Sequence, residues 1–321
     1  MKKHIKLFLM LIALGMCVVT SCTKEAGIYT EGGSDGIIEL ADLPSRTSST
    51  IYSIVTKSFD AATEIDFPVV INYTGTSGVP SDITLNVAIN DAAVTAYNTA
   101  SSTSYLILPN TLYTVATNTV TIPAGSKTGT FHIKLKTSSF DFSKSYALGI
   151  SITSASAGTI SGNYSTGIFR VVAKNAYEAS YGVTGWFFHP TAGRAISATY
   201  AMSTLGIDKC SVPFGDLGSS SYNFSFDVSG STLTNYAPLG STPTGLNSGF
   251  MTADQAGASA TWVNSSGSAD KPGTSPWLHS TYNNSYDATN KTFYMHVGYV
   301  STGGTGQASW TRQVYEKWVR K

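Results

Sequence analysis

The chain has 321 residues, with 20 Lys and Arg against 19 Asp and Glu, 12% charged residues and 42% apolar ones. That apolar fraction excludes a disordered chain, and the near-neutral charge excludes the basic surface that nucleic acid or anionic lipid demands of a partner. Of its three cysteines, Cys17, Cys22 and Cys210, two lie in the first 22 residues, and Cys210 by itself builds no cysteine-based metal site.

Lys2, Lys3 and Lys6 form a basic start, and an apolar run over residues 7–19 follows directly. This order predicts a secretory signal peptide over residues 1–21, because the run is shorter than the ~20 apolar residues that span a bilayer. It ends in Val19-Thr20-Ser21-Cys22, which resembles a lipobox, so cleavage before Cys22 and acylation of its thiol are expected. Each acyl methylene buried contributes about 0.8 kcal/mol, and the several chains of a triacylated lipoprotein give stable anchoring. No later stretch reaches 18 uninterrupted apolar residues, so membrane contact is expected through the lipid anchor only. Thr23, where an acidic residue would favour inner-membrane retention, points to the outer membrane, and Lys24 and Glu25 are compatible with surface export. Removing the three lysines of residues 1–21 leaves 17 basic residues against 19 acidic ones, a formal charge of −2. Cys210 is then the one thiol left, with no intramolecular disulfide partner.

Residues 22–35 are polar and Gly-rich, a lipidated flexible tether. A first domain is predicted over residues 36–174. Phe67, Val69, Ile71 and Tyr73 alternate, as do Ile83, Leu85, Val87 and Ile89 after a turn at Gly78-Val79-Pro80-Ser81. Asp91 sits where a helix N-cap would be, ahead of Ala92, Ala93, Val94, Ala96 and Tyr97, which predicts one short helix. Strand patterns resume at Val120-Thr-Ile, at Phe131, Ile133 and Leu135, and over residues 146–152 and 168–172. About seven short strands separated by turns predict an immunoglobulin-like β-sandwich.

A second all-β domain is predicted over residues 175–321, from strand patterns at residues 185–188, 196–202, 222–228, 293–299 and 309–319. Periodicity leaves open whether its sheet closes into a barrel or packs as a sandwich. Between residues 230 and 292 the composition is mostly Ser, Thr, Gly, Asn and Pro, which predicts short strands and long loops, and long loops are where binding commonly resides.

Leu85-Asn-Val-Ala-Ile-Asn-Asp, Tyr97-Asn98, Tyr105, Leu108-Pro109 and Val120-Thr-Ile-Pro-Ala-Gly125 resemble the N-terminal domain of unknown function 1735 of Bacteroidota lipoproteins. The second half, through Tyr286-Asp287, Lys291-Thr-Phe, Arg312 and Tyr315-Glu316, is similar to domain of unknown function 4361. The resemblance implies an outer-membrane lipoprotein that binds glycans at the cell surface, within a polysaccharide-utilisation system of the starch-utilisation type. It supplies no ligand residues.

The residues add a candidate site. A sugar ring presents an apolar C–H face and a rim of hydroxyls, so it calls for aromatic faces beside polar hydrogen-bonding groups. Trp262, Trp277, His279 and Tyr282 lie in one Gly- and Pro-interrupted segment and are the predicted glycan-binding residues. They could equally anchor the segment by packing, since large aromatics are mostly buried. The weak charge and many hydroxyls suit a neutral polysaccharide or oligosaccharide. Trp186, Trp310 and Trp318 fall in strand patterns and are expected to pack in the core or against a sheet.

Catalysis finds no motif. Glycoside hydrolysis needs two carboxylates across the scissile bond, and those of the second half (Glu178, Asp208, Asp216, Asp227, Asp254, Asp270, Asp287 and Glu316) form no recognisable pair. His189, His279 and His296 are dispersed, no metal-binding spacing occurs, and Gly303-Gly304-Thr305-Gly306 reads as a hairpin turn. The expectation is a protein without enzymatic activity, cofactor or metal that binds glycan. The alternatives are a structural or assembly subunit of an outer-membrane uptake complex and, behind it, a glycoside hydrolase.

Cys22→Ala is expected to yield a chain that incorporates no labelled fatty acid and leaves the membrane fraction. A mutant that is still labelled would remove the anchor assignment.

Overall fold

The computed structural model describes residues 36–46, 50–75, 77–189, 192–240, 275–299 and 312–321. Cys22, Trp262, Trp310 and residues 303–306 lie outside the described residues. Within them the fold is all-β: two facing sheets, then a closed barrel.

The sandwich runs through β1 (Ile37–Leu40), β2 (Ser53–Asp60), β3 (Ile65–Tyr73), β4 (Ile83–Ile89), α1 (Asp91–Ser101), β5 (Leu106–Ile107) and β6 (Tyr113–Val115). It continues through β7 (Thr119–Ile122), β8 (Thr128–Leu135), β9 (Tyr146–Ala155), β10 (Thr159–Ile160) and β11 (Thr166–Lys174). One sheet has the order β10-β1-β3-β8-β6, the other β2-β11-β9-β4-β7 with β5 on β9. Alternation builds the core between them: Phe67, Val69 and Ile71 of β3, Leu85 and Val87 of β4, and Phe131, Ile133 and Leu135 of β8 are all buried. Polar neighbours on the same strands point away, as a sheet with one buried face requires.

The helix is where the pattern placed it, but its cap is one residue earlier. Asn90, not Asp91, is the N-cap: its Oδ1 accepts from the Ala93 backbone N–H at 3.0 Å. Asp91 then occupies the first turn, where a carboxylate complements the helix dipole. Ala93, Val94 and Tyr97 pack on Ala147 and Ile168, on the outer face of the second sheet. Gly149 makes this approach feasible, because a Cβ there would lie 2.1 Å from the Asn90 carbonyl oxygen.

After Lys174 the chain crosses to the barrel through Asn175, whose buried side chain donates to the Gly206 and Lys209 carbonyls and accepts from Tyr177 and Glu178. The barrel strands are β12 (Ala179–Phe188), β13 (Arg194–Thr204), β14 (Lys209–Pro213), β15 (Asn223–Ser229), β16 (Thr232–Leu239), β17 (Ser285–Asp287), β18 (Thr292–Tyr299) and β19 (Arg312–Arg320). They pair in chain order, and β19 closes on β12 from Tyr181↔Arg320 to Phe188↔Gln313. This settles the choice between barrel and sandwich.

An eight-stranded barrel is narrow enough for side chains to fill it. Tyr181, Val183, Phe187, Phe224, Phe226, Phe293, Met295 and Trp318 belong to one buried cluster inside it, so the barrel is a core and not a channel. Cys210 belongs to the same cluster as a free thiol, and burial pushes it up to about 12. Trp318 is thus a core residue, as its strand pattern indicated.

Glu316 is the exception inside the barrel. It stands between Val314 and Trp318 on the inward face of β19 and is fully buried. Its Oε2 accepts from Trp318 Nε1 at 3.0 Å while its Oε1 has no partner. Burial raises its pKa to about 8; the Trp318 bond works against this shift and the Asp216 charge adds to it. Between its ordinary value of 4.5 and about 8, the folded chain holds a proton that the unfolded chain has released. Stability therefore falls as pH rises through that window.

His296, pushed down to about 4 by burial, acts in the opposite direction below its ordinary 6.5. The Glu316 slope is therefore clearest above that value. Glu316→Gln keeps an acceptor for Trp318 and is expected to flatten the fall in Tm between about pH 6.5 and 8. Equal slopes for the wild-type protein and Glu316→Gln would contradict a buried, protonated Glu316.

Candidate functional site

Strand pairing stacks the outward side chains of four neighbouring barrel strands into rows. Ala195, Trp186, Tyr315 and His296 stand opposite one another across β13, β12, β19 and β18. The next row along the strands is Ser197, Thr184, Lys317 and Tyr294, and the one after it Thr199, Gly182, Val319 and Thr292. The first row is aromatic, although it faces away from the barrel core. It needs a cover, because Tyr315 is 0% and His296 1% exposed.

Residues 275–284 contribute to that cover. Asn284 fixes where they lie: it takes a left-handed backbone (φ 56°), a conformation Asn tolerates. Its Nδ2 donates to the His296 carbonyl at 3.0 Å, and its Oδ1 accepts from the His296 N–H at 2.9 Å and from Tyr236 Oη at 2.8 Å. The side chain thus continues, opposite His296, the ladder that β17 starts. The Leu233 N–H adds a bond to the Asn284 carbonyl.

Three of the four predicted residues meet here. Trp277 is half-buried and packs on Trp186 (6.1 Å between centroids), Phe188 (6.2 Å), Tyr282 (5.8 Å) and Tyr315 (6.4 Å). Tyr282 lies edge-on to Tyr315 at 5.5 Å and also reaches Tyr294. His279 stacks on His296 with an interplanar angle of 5°, and its Nε2 is 3.0 Å from the Tyr315 hydroxyl. The fourth, Trp262, lies outside the described residues.

His279 and His296, dispersed in sequence, are therefore ring neighbours. Pairing of β18 with β19 brings His296 beside Tyr315, and the turn before Asn284 delivers His279. Among the described residues no group of three or more His, Cys, Asp or Glu is placed to hold a metal.

The polar chemistry of the cluster is donor-rich. His296 Nε2 donates to Gln313 Oε1 at 2.8 Å, which fixes its tautomer, and burial keeps the ring neutral. Gln313 Nε2 and Trp186 Nε1 are buried donors without a hydrogen-bond partner. Such orphans are costly unless water or a ligand meets them.

No carboxylate stands in the three outward rows. Asp287 caps its own turn through Thr289 and Asn290, as expected of that spacing. Asp216 pairs with Arg194, Asp227 accepts from Asn235, and Glu178 accepts from the Thr204 N–H. Sequence reasoning missed Trp186, Tyr315, His296 and Gln313 as parts of one cluster. The signal that could have found them is the outward phase of β12, β18 and β19, readable once the inward phase is known.

A family model of an N-terminal domain matches residues 36–159. No functionally curated protein matches the chain. Among solved structures, a Bacteroides ovatus protein of unknown function is 11% identical, over 90% of this chain and 95% of that one, with a TM-score of 0.52. This similarity extends the two-part fold to a second protein. A multidomain protein from Bacteroides ovatus that includes domain of unknown function 1735 is 12% identical over 88% of this chain and 94% of that one, with a TM-score of 0.44. An auxiliary nutrient binding protein from Bacteroides thetaiotaomicron is 14% identical over 83% of this chain and 90% of that one, with a TM-score of 0.39.

Proposed function

We propose that this protein is a lipid-anchored glycan-binding protein of the outer membrane, exposed at the cell surface, that holds a polysaccharide without turning it over. The observation that carries the reading is the aromatic row on the outside of the barrel, where Trp186 and the Trp277 that packs on it remain partly exposed beside the buried Tyr315. Aromatic rings on the outer face of a barrel whose interior is already filled add nothing to the core inside. The exposed parts of Trp186 and Trp277, beside Tyr282 and His279, suit a ligand with an apolar face and a hydroxyl rim.

The absence of carboxylates from the three outward rows supports capture over hydrolysis, which would need two of them flanking the bond. The basic start, short apolar run and Cys22 support the anchor.

Trp277 is packed on four rings, so its removal has a stability cost as well as a binding cost. Half-burial keeps that stability cost below the ~3–5 kcal/mol of a fully buried tryptophan. In polysaccharide affinity electrophoresis, Trp277→Ala and Trp186→Ala are each expected to weaken retardation by roughly tenfold, at a temperature where both variants remain folded. Retardation by any polysaccharide that persists unchanged in both variants would dismiss this face as the site.

A further inference from the structure

We infer that the glycan this protein holds is acidic, its negative groups falling on Lys317 and Lys321 in a shallow groove that continues the aromatic row along the barrel wall. This inference rests on the glycan-binding reading above and specifies its substrate class.

The groove is a product of the same register. Moving along β12 from Trp186, the outward positions are Thr184 and then Gly182, and their partners on β13 are Ser197 and Thr199. Small side chains at all four positions leave a depression of about 460 Å³, whose walls include Val319, Lys317 and Lys321. The groove begins beside the stacking cluster: Tyr282 touches Tyr294, and the Lys317 ammonium lies 5.7 Å from the centre of the Tyr294 ring. From Trp186 to Gly182 the strand advances ~14 Å. That is room for a polymer and more than a single ring needs.

Among the described residues, both charged side chains that line the groove are lysines and no Asp or Glu does. The Lys321 ammonium donates to Thr199 Oγ1 at 2.6 Å, which holds it across the floor. At Gly182 a Cβ would meet nothing closer than Lys321 Cε at 3.7 Å, so the glycine leaves open space where a larger residue would fit. The groove thus sets two ammonium groups, those of Lys317 and Lys321, beside the aromatic face. A neutral sugar's hydroxyl can accept a hydrogen bond from each, whereas a carboxylate or sulfate ester adds the attraction of opposite charges to that bond.

The test uses the chain from residue 22 onward and three polymers, namely galactan, sulfated galactan and polygalacturonate. It compares the wild-type protein with Trp277→Ala, Gly182→Glu and the double variant Lys317→Gln/Lys321→Gln, each checked for an unchanged far-ultraviolet spectrum. The expected result is tighter binding of at least one acidic polymer than of galactan, weakening as salt screens the charges. The ratio of acidic-polymer to galactan affinity should fall roughly tenfold in the double variant and in Gly182→Glu. Comparing the two acidic polymers identifies the group as carboxylate or sulfate.

Equal binding of galactan and both acidic polymers, with loss only in Trp277→Ala, would overturn the acidic preference and leave the aromatic site standing. Binding of no polymer would overturn both. Lysine-dependent binding to phosphatidylglycerol vesicles without any preference among the polymers would also overturn the inference, by assigning the lysines to a membrane surface.

Discussion

The pairing of β12 with β19 is the constraint from which the rest of the second domain follows. Eight residue pairs, from Tyr181↔Arg320 to Phe188↔Gln313, convert an open sheet into a closed one. Closure divides every side chain between a filled interior and an outer wall. Val314, Glu316 and Trp318 go inside, and Gln313, Tyr315, Lys317 and Val319 go outside. A slip of one residue would exchange the two sets. It would put the Trp318 ring on the wall and dissolve the row that joins Trp186, Tyr315 and His296. The same register places a carboxyl group in an apolar core and an aromatic row on the surface, so stability and recognition share one cause.

The first domain was largely legible because its strands obey a single rule. In β3, β4 and β8 every second residue is a large apolar one, so alternation alone names Phe67, Val69, Ile71, Leu85, Val87, Phe131 and Ile133 as core. The helix cap lies one residue before the expected one because Asn90 and Asp91 are both good capping residues, and their order in sequence does not say which side chain accepts from the first turn. The barrel was harder to read. Along β19 both phases contain an aromatic and a polar residue, with Glu316 and Trp318 in one and Tyr315 and Lys317 in the other. Periodicity therefore gives a strand without saying which face is inside. Three strands, β14, β16 and β17, carry no clear alternation: Lys209–Pro213 is short and carries Lys209 and Ser211, and Thr232–Leu239 and Ser285–Asp287 lie in the polar stretch read as short strands and long loops.

The candidate site was legible in part for a related reason. Trp277, His279 and Tyr282 could be chosen from composition, since they combine aromatic faces with polar atoms in a segment broken by Gly and Pro. Their partners could not, because Trp186, His296 and Tyr315 come from three strands that only closure brings together. The two readings weighed for Trp277, anchor or ligand platform, also prove compatible in the structure. Its ring packs on four others and yet is half-buried, so it both helps cover the wall and keeps surface available to a ligand.

The claim that a glycan lies on this wall is tested most directly by the indole N–H signals of the tryptophans, followed by nuclear magnetic resonance during titration with an oligosaccharide cut from a polymer that binds. Trp186 and Trp277 lie on the wall, whereas Trp318 is buried in the barrel with its Nε1 donating to Glu316, and so serves as an internal control. The account predicts that the signals of Trp186 and Trp277 shift in proportion to saturation while that of Trp318 stays in place. Saturable binding that leaves Trp186 and Trp277 unmoved would contradict it.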